Sequence, residues 1–450
     1  MQSNPALRAV DDDLPLEVRP AEEPRPAPAW SPVKRLLFRF AFAYLILYSF
    51  PFPLYYIPYV GMVGMWTFQM WGKLVPWVGQ QVFGVAITVF PNGSGDTTYN
   101  YVQVFCYLVI SAAATLVWSL LDRRRRNYAR LYEWLRVYVR FVLAVAMIGY
   151  GAFKVIPSQF PAPAFDRLMQ PYGDSSPMGL LWTFMGASVA YNVFTGLGEL
   201  TGGLLLAFRR TTLLGALVCI GVMTNVVMLN FSYDVPVKLY SSHLLLMAVF
   251  LAAHDLRRLA NVLVLNRPAE PTDPADYRPL FRRRWLHVGT KVLGVLFIGY
   301  LTFTSLQFSY KQAKEYSAAE SAKSPLYGLW EIEELVVDGK ASPPLVTDAN
   351  RWRRAMFTGG NRMSFQLMSG SRDRFNVDID PRKRTLAFTK RDDPSWKSTL
   401  AYNRPQPKLL VMQGAFDGHK VRARLRKGEI PKSLLMTRGF HWINERPFNR

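Results

Sequence analysis

"NVFTGLGELTGGLLLAF", residues 192–208, reads as a membrane helix with a carboxylate at its centre. Asn192, Thr195, Glu199 and Gly202 recur at helical spacing and share one face. Gly196, Gly198, Gly202 and Gly203 let a neighbouring helix approach closely. A carboxylate at mid-bilayer depth costs roughly 2.5–3.5 kcal/mol or more to insert, so this face points into a bundle rather than into lipid.

The rest of the chain fits that reading. Of 450 residues, 50% are hydrophobic and 14% aromatic, and the apolar residues are blocked into runs separated by basic connectors. About 20 apolar residues are needed to cross a bilayer. Seven runs qualify: 35–52, 100–121, 138–156, 187–208, 211–230, 237–254 and 286–305. The net charge of +22 does not mark a nucleic-acid binder, because Lys and Arg cluster at the ends of these spans, where topology explains them. Lys34, Arg35, Arg39, the run Arg123–Arg126, Arg209, Arg210, Arg257 and Arg258 all fall at alternate ends. The expected topology has a cytoplasmic N-terminus and an extracytoplasmic C-terminal domain, in the bacterial cytoplasmic (inner) membrane. Residues 59–90 are apolar but interrupted by Lys73 and Pro76. They read as one or two interfacial or re-entrant helices on the outer face, with a pair of extra spans as the alternative.

The domain order follows. Residues 1–33 are rich in Pro, Asp and Glu and read as a disordered cytoplasmic tail. Residues 34–305 form the transmembrane bundle, 306–325 a linker, and 326–450 a small antiparallel β-barrel. The barrel reading rests on short alternating stretches: "LWEIEELVV", "MSFQLM", "RFNVDID", "TLAFT", "TLAY", "KLLVMQGAF", "KVRARL" and finally "SLLMTRGFHWINE". Asp338-Gly339 and Asp417-Gly418 mark turns, and Phe375, Val377 and Ile379 fall on one face, as do Val421, Ala423 and Leu425. Gly328-Leu329-Trp330 at the start and Arg438 near the end resemble the lipocalin pattern, in which that Arg packs over that Trp. The resemblance implies a barrel that holds a ligand or, alternatively, a filled one that binds only a partner. With 24 Lys and Arg against 13 Asp and Glu, the barrel is basic, which suits either attraction to anionic headgroups or an ordinary solvated surface.

Other spans bring polar groups toward the same outer half. Lys154 ends the third, Asn225 and Asn230 close the fifth, Asp234, Lys238 and Tyr240 flank the start of the sixth, and His243 lies inside it. Glu199 lies about 16 Å below the outer end of its helix and His243 about 9 Å. One outward-opening funnel can hold them all. It suits a ligand with a polar head and an apolar body, a quinone or a lipid, with Glu199 and His243 relaying protons and Lys154, Asn192, Asp234, Lys238 and Tyr240 binding it. The alternative is a buried Glu–Lys or Glu–His pair that only fixes helix packing. No Cys–His metal cluster, haem site, phosphate loop, dinucleotide fingerprint or nucleophile elbow is recognisable.

Within residues 138–268, "GYGAFKVIPSQF", "GELTGGLLLAF", "NFSYDVPVKLYSSHLLLMAVFL" and "LRRLANVLVLNRP" resemble the DoxX family of the DoxD-like group of bacterial membrane proteins, with Lys154, Glu199 and His243 at its polar positions. That resemblance implies a four-helix membrane bundle and a quinone-facing role, as an oxidoreductase or the quinone-binding subunit of one. The three added spans and the barrel depart from the simple family. They keep open a second reading: a non-enzymatic anchor or assembly protein whose outer barrel binds a lipid or an extracytoplasmic protein partner.

Overall fold

The computed structural model describes residues 29–57, 60–88, 93–269, 283–321, 324–390, 393 and 395–448. The expected tail lies outside these up to residue 28. The chain divides into two units. One comprises residues up to Phe50 together with Phe105–Leu135, and the other Pro51–Val104 and everything from Arg136 on.

The first unit holds helix α1 (Pro32–Ser49), most of α3 (Thr98–Leu121) and the start of α4 (Ala129–Val155). Its core is aromatic: Phe38 stacks on Tyr128 with ring centroids 5.3 Å apart, and Trp30, Trp118 and Tyr132 close around them. Arg39 is buried there, and the sequence reading used it only as a topology marker. Its guanidinium donates to the Tyr128 hydroxyl (2.6 Å), Ser119 Oγ (2.7 Å) and the Asp122 carbonyl (2.9 Å), so α1 is tied to the turn after α3.

The second unit contains α2 (Met62–Phe83), the short α5 (Phe165–Leu168), α6 (Pro177–Ala187), α7 (Val189–Ala207), α8 (Thr212–Ser232), α9 (Lys238–Ala253), α10 (Leu256–Leu263) and α11 (Arg284–Ser321). Helix α2 is a single run that accommodates Pro76, which leaves no room for the pair of spans weighed for residues 59–90. Among the described residues, α3, α4, residues 209–232 and α11 are long and apolar enough to cross a membrane. The bent pairs α6–α7 (99°) and α9–α10 (78°) raise the number to six if each is one span. Helix α1 forms where expected, but Lys34, Arg35 and Arg39 fall within its 18 residues, and it is not in that set. Ser188 makes the α6–α7 break: it caps α7, its hydroxyl accepting the Tyr191 N–H at 3.3 Å.

Helix α11 runs beside α4 in the same direction. Phe141 meets Phe297 and Phe153 meets Phe308, so both helices end on one side. The expected linker at 306–325 is instead helical through Ser321. "LQFSYKQAKEYSAAES" contains neither Gly nor Pro, and nothing stops the helix where the apolar run ends.

The barrel contains nine strands among the described residues: β1 (Gly328–Val337), β2 (Lys340–Ala341), β3 (Trp352–Phe357), β4 (Arg362–Leu367), β5 (Arg372–Asp380), β6 (Thr385–Lys390), β7 (Lys397–Gln406), β8 (Leu409–Phe416) and β9 (His419–Lys427). Eight of them follow one another antiparallel, and β9 pairs back on β1 to close the ring, with β2 a two-residue spur on β1. Asp417 (φ 53°) and Gly418 (φ 84°) form the tight β8–β9 turn that Asp-Gly favours. Two expectations are corrected. Residues 433–445 are not the last strand. The β9–β1 pairing leaves no open edge, and after Gly428 and Pro431 the chain forms only a four-residue helix, α12 (Leu434–Thr437). Strand β3 was not foreseen, because a register shift between Trp352 and Arg354 breaks its alternation.

Trp330 is fully buried, and its Nε1–H donates to the Leu326 carbonyl at 2.7 Å. The cations over its ring are Arg404 and Lys427, each 5.8 Å from the centroid. Arg438, expected there, lies 3.9 Å from the Phe448 ring instead. Once β9 has closed on β1, the chain carrying Arg438 continues past the barrel rather than along its wall. The barrel centre is filled. Trp352 stacks on Phe365 at 3.9 Å, and Phe416 meets Phe365, Phe375, Phe388 and Trp396 edge-on at 5.3–5.8 Å.

The barrel meets helices of the same unit at β4 and just before β1. Arg362 pairs with Glu320 at the end of α11 (2.6 Å), and Tyr327 meets Phe165 of α5 (5.9 Å). The α4–α6 connection and the barrel therefore share one side of the bundle.

Candidate functional site in the helical bundle

The buried face of α7 is Asn192, Gly196, Glu199, Gly202, Gly203 and Leu206, the face expected from spacing. Its glycines bring α4 to backbone contact. A Cβ at Gly196 would fall 2.7 Å from both Lys154 Cβ and Val155 N, and one at Gly203 would fall 2.9 Å from the Ala144 carbonyl. This approach sets Lys154 opposite Glu199. Lys154 Nζ donates to both carboxylate oxygens, at 2.5 and 2.7 Å, with the residues 7% and 2% exposed.

Lys154 sits in the last turn of α4 because Pro157 follows and the helix ends at Val155. The C-terminal end of a helix is its negative pole, which favours a cation there. Glu199 and the helix end together compensate the ammonium.

Aromatic groups close the pair. Lys154 Nζ lies 5.6 Å from the Tyr150 ring centroid, and Tyr150 meets Tyr240 of α9 at 6.1 Å. On the same buried face of α7, a Cβ at Gly202 would fall 2.8 Å from Cys219 Sγ, which places that buried thiol of α8 against the glycine face. The cluster at the pair is thus Lys154, Glu199, Tyr150, Tyr240 and Cys219.

The remaining expected residues are arranged otherwise. Asp234 and Lys238 form a second cluster with Asp96, which the sequence reading missed. Lys238 Nζ lies 2.8 Å from Asp234 and 3.9 Å from Asp96, whose carboxylate also accepts the backbone N–H of Lys238 (2.7 Å) and Leu239 (2.9 Å). Asp96 therefore caps α9 from 142 residues away, and no local pattern announces such a partner. Asn192 is buried, and its Nδ2 donates to the Phe160 carbonyl at 3.2 Å while Oδ1 has no partner among the described residues. Its bond holds the irregular chain after Pro157 against α7. His243 lies 2.6 Å, through Nδ1, from the carbonyl of Leu239 in its own helix. A carbonyl only accepts, so Nδ1 carries the proton and Nε2 is the ring's acceptor. The residues expected to share one funnel thus resolve into a buried pair with two tyrosines, a more exposed acidic–basic cluster at the start of α9, an asparagine engaged with the α4–α6 connection, and His243 bonded within its own helix.

No family model matches the chain, and no solved structure matches it. Over 144 residues the chain is 29% identical to the uncharacterized protein YwoB of Bacillus subtilis (strain 168). That stretch is 32% of this chain and 87% of that protein.

Proposed function

We propose that this is a DoxX-like protein of the bacterial inner membrane whose bundle binds a quinone headgroup, acting as a quinone-linked redox protein or as the quinone-binding subunit of a membrane oxidoreductase. The observation that carries the reading is the bidentate Lys154–Glu199 pair, buried among membrane-length helices and flanked by Tyr150 and Tyr240. The donor set suits two carbonyl oxygens. Lys154 has three N–H groups and Glu199 engages two, and each tyrosine adds a hydroxyl and an apolar ring face. A bound quinone supplies two-electron, two-proton chemistry. Lys154 and the tyrosines hold and orient it, and Glu199 holds a proton at its carboxylate when Lys154 turns toward a ligand. His243 Nε2, one helix over, serves proton passage toward the outer face.

The topology in this proposal has seven crossings, by α1, α3, α4, α6–α7, α8, α9–α10 and α11. The N-terminus is cytoplasmic and the barrel outside, as the basic loops favour. The filled barrel centre supports the second reading, an anchor or assembly protein that meets its partner through the barrel surface.

The test is the organic extract of the purified full-length protein, analysed by mass spectrometry beside Glu199→Gln. The expected result is a stoichiometric quinone in the wild type and its loss from an equally monodisperse variant. No quinone in either, or equal amounts in both, overturns the proposal in favour of the second reading.

A further inference from the structure

Strands β4 and β5 present an outward row that should face solvent: Arg362, Ser364 and Gln366 on one, Arg372 and Arg374 on the other. Ser364 lies opposite Arg374 and Gln366 opposite Arg372. Yet Ser364 is only 2% and Gln366 only 4% exposed. The Arg372 side chain, 3% exposed, reaches the α4–α6 connection and donates to the Asp166 carbonyl and to Gln170 Oε1.

Polar atoms are left over at this covered face. Ser364 Oγ, Gln366 Oε1 and Arg167 Nη2 are all buried without a partner among the described residues. Orphaned buried donors and acceptors are rare, and a cluster of them marks a place for a polar ligand or ion. The Arg167 guanidinium is otherwise engaged: Nε donates to Thr183 Oγ1 at 2.9 Å and Nη1 to Gln170. Its unused Nη2 lies on the first turn of α6, where a Cβ at Gly179 would fall 2.6 Å from it. That end of an 11-residue helix is its positive pole. A cation there is misplaced by itself.

Charge points the same way. Arg374 acts on both Arg167 and Arg372, and Asp166 and Asp174 are the acids that act on Arg372. Three guanidinium groups and a helix N-terminus thus face two carboxylates. Arg362 is already matched by Glu320. Burial, then Arg374, pulls Arg372 down to about 10.

We infer that the junction between the barrel wall and the α4–α6 connection is an anion site for a phosphate group, with Arg167 Nη2, the Arg374 guanidinium and Ser364 Oγ as its donors. Phosphate offers several acceptor oxygens to a guanidinium fork and to a helix N-terminus at once. The group arrives either as free phosphate or as the headgroup of a phospholipid beside the apolar helix α6.

The experiment uses the full-length protein in a neutral detergent. Melting midpoints are followed against inorganic phosphate at constant ionic strength, with chloride as the control. Native mass spectrometry follows retention of phosphatidylglycerol against diacylglycerol. Arg374 is exposed and Ser364 has no hydrogen bond to lose, so Arg374→Gln and Ser364→Ala should melt like the wild type without ligand. The expected result is binding of phosphate, of phosphatidylglycerol or of both, weakened about tenfold or more in Arg374→Gln and measurably in Ser364→Ala. Binding of phosphate alone assigns a soluble ligand, and of the lipid alone a headgroup. The inference is overturned if neither binds, if the variants bind as the wild type does, or if only an adventitious ion is seen, shifting chloride and phosphate samples alike.

Discussion

The bundle and the barrel solve the same packing problem with opposite materials. The barrel core is built of large rings: Trp352, Phe365, Phe375, Phe388 and Phe416 meet at centroid distances from 3.9 to 6.2 Å, and the strands place no charge among them. The α4–α7 contact is built of almost nothing, with Gly151, Gly196 and Gly203 against backbone and a single ion pair near the end of α4. The difference fits a barrel in water and helices long and apolar enough to cross a membrane. In water, burying rings is the dominant favourable term, and area counts. Among lipid tails a ring gains little by moving from lipid to protein, so helices are held by close backbone approach and by polar pairing.

This contrast can be broken experimentally, and the largest expected effect is in the barrel. Phe365→Ala should remove about 3–5 kcal/mol from the barrel transition. Helix content in detergent should survive, read by circular dichroism after the barrel has melted. In the bundle, Lys154→Met should cost about 3 kcal/mol, because it leaves Glu199 buried without its cation. Lys154→Met combined with Glu199→Leu should recover most of that loss in a thermal melt. If the double variant is no more stable than the single one, the pair contributes more than charge compensation. Gly196→Val comes next, at about 1–3 kcal/mol, since its branched side chain would meet Lys154 Cβ and the Val155 backbone. The same change at exposed Gly221, which has open space, should be nearly silent.

The smallest effect is a surface one. Asp338 accepts hydrogen bonds from His419 Nδ1 (2.7 Å) and the Lys420 N–H (2.8 Å), and the His419 bond, more than any other, holds its carboxyl below the usual carboxylate range. A group depressed in the folded state stabilises it above the ordinary value of about 3.9, and that stabilisation is lost as the pH falls through the lowered value. The urea midpoint of the barrel should therefore be slightly lower in His419→Ala at pH 5 than in the wild type, and the two curves should meet at the acid end. A gap that widens on acidification contradicts this assignment.

What could be read from the chain follows the same division. The α7 face was legible because helical periodicity survives in lipid, and the unfavourable insertion of Glu199 forces an inward orientation. The strands β1 and β4–β9 were legible because one face of each must be apolar. Strand β3 was not, since its register shift hides the alternation, and its outward Met356 is buried like a core residue. The contacts of Arg39 with Tyr128, of Asp96 with the start of α9 and of Arg372 with Asp166 join residues from 89 to 206 positions apart. A polar residue carries no local sign of a partner so far along the chain. Length also misled: the apolar run after residue 286 ends near 305, but helix α11 continues to Ser321 because chain propensity, not hydrophobicity, decides where a helix stops.

The proposed function requires that Lys154 and Glu199 serve a ligand and not only the packing of α4 on α7. The most direct measurement is the quinone content of the stable double variant Lys154→Met with Glu199→Leu, purified beside the wild type. The account expects a folded, monodisperse protein whose extract contains no quinone. A double variant as rich in quinone as the wild type would contradict it and leave the pair a structural element alone.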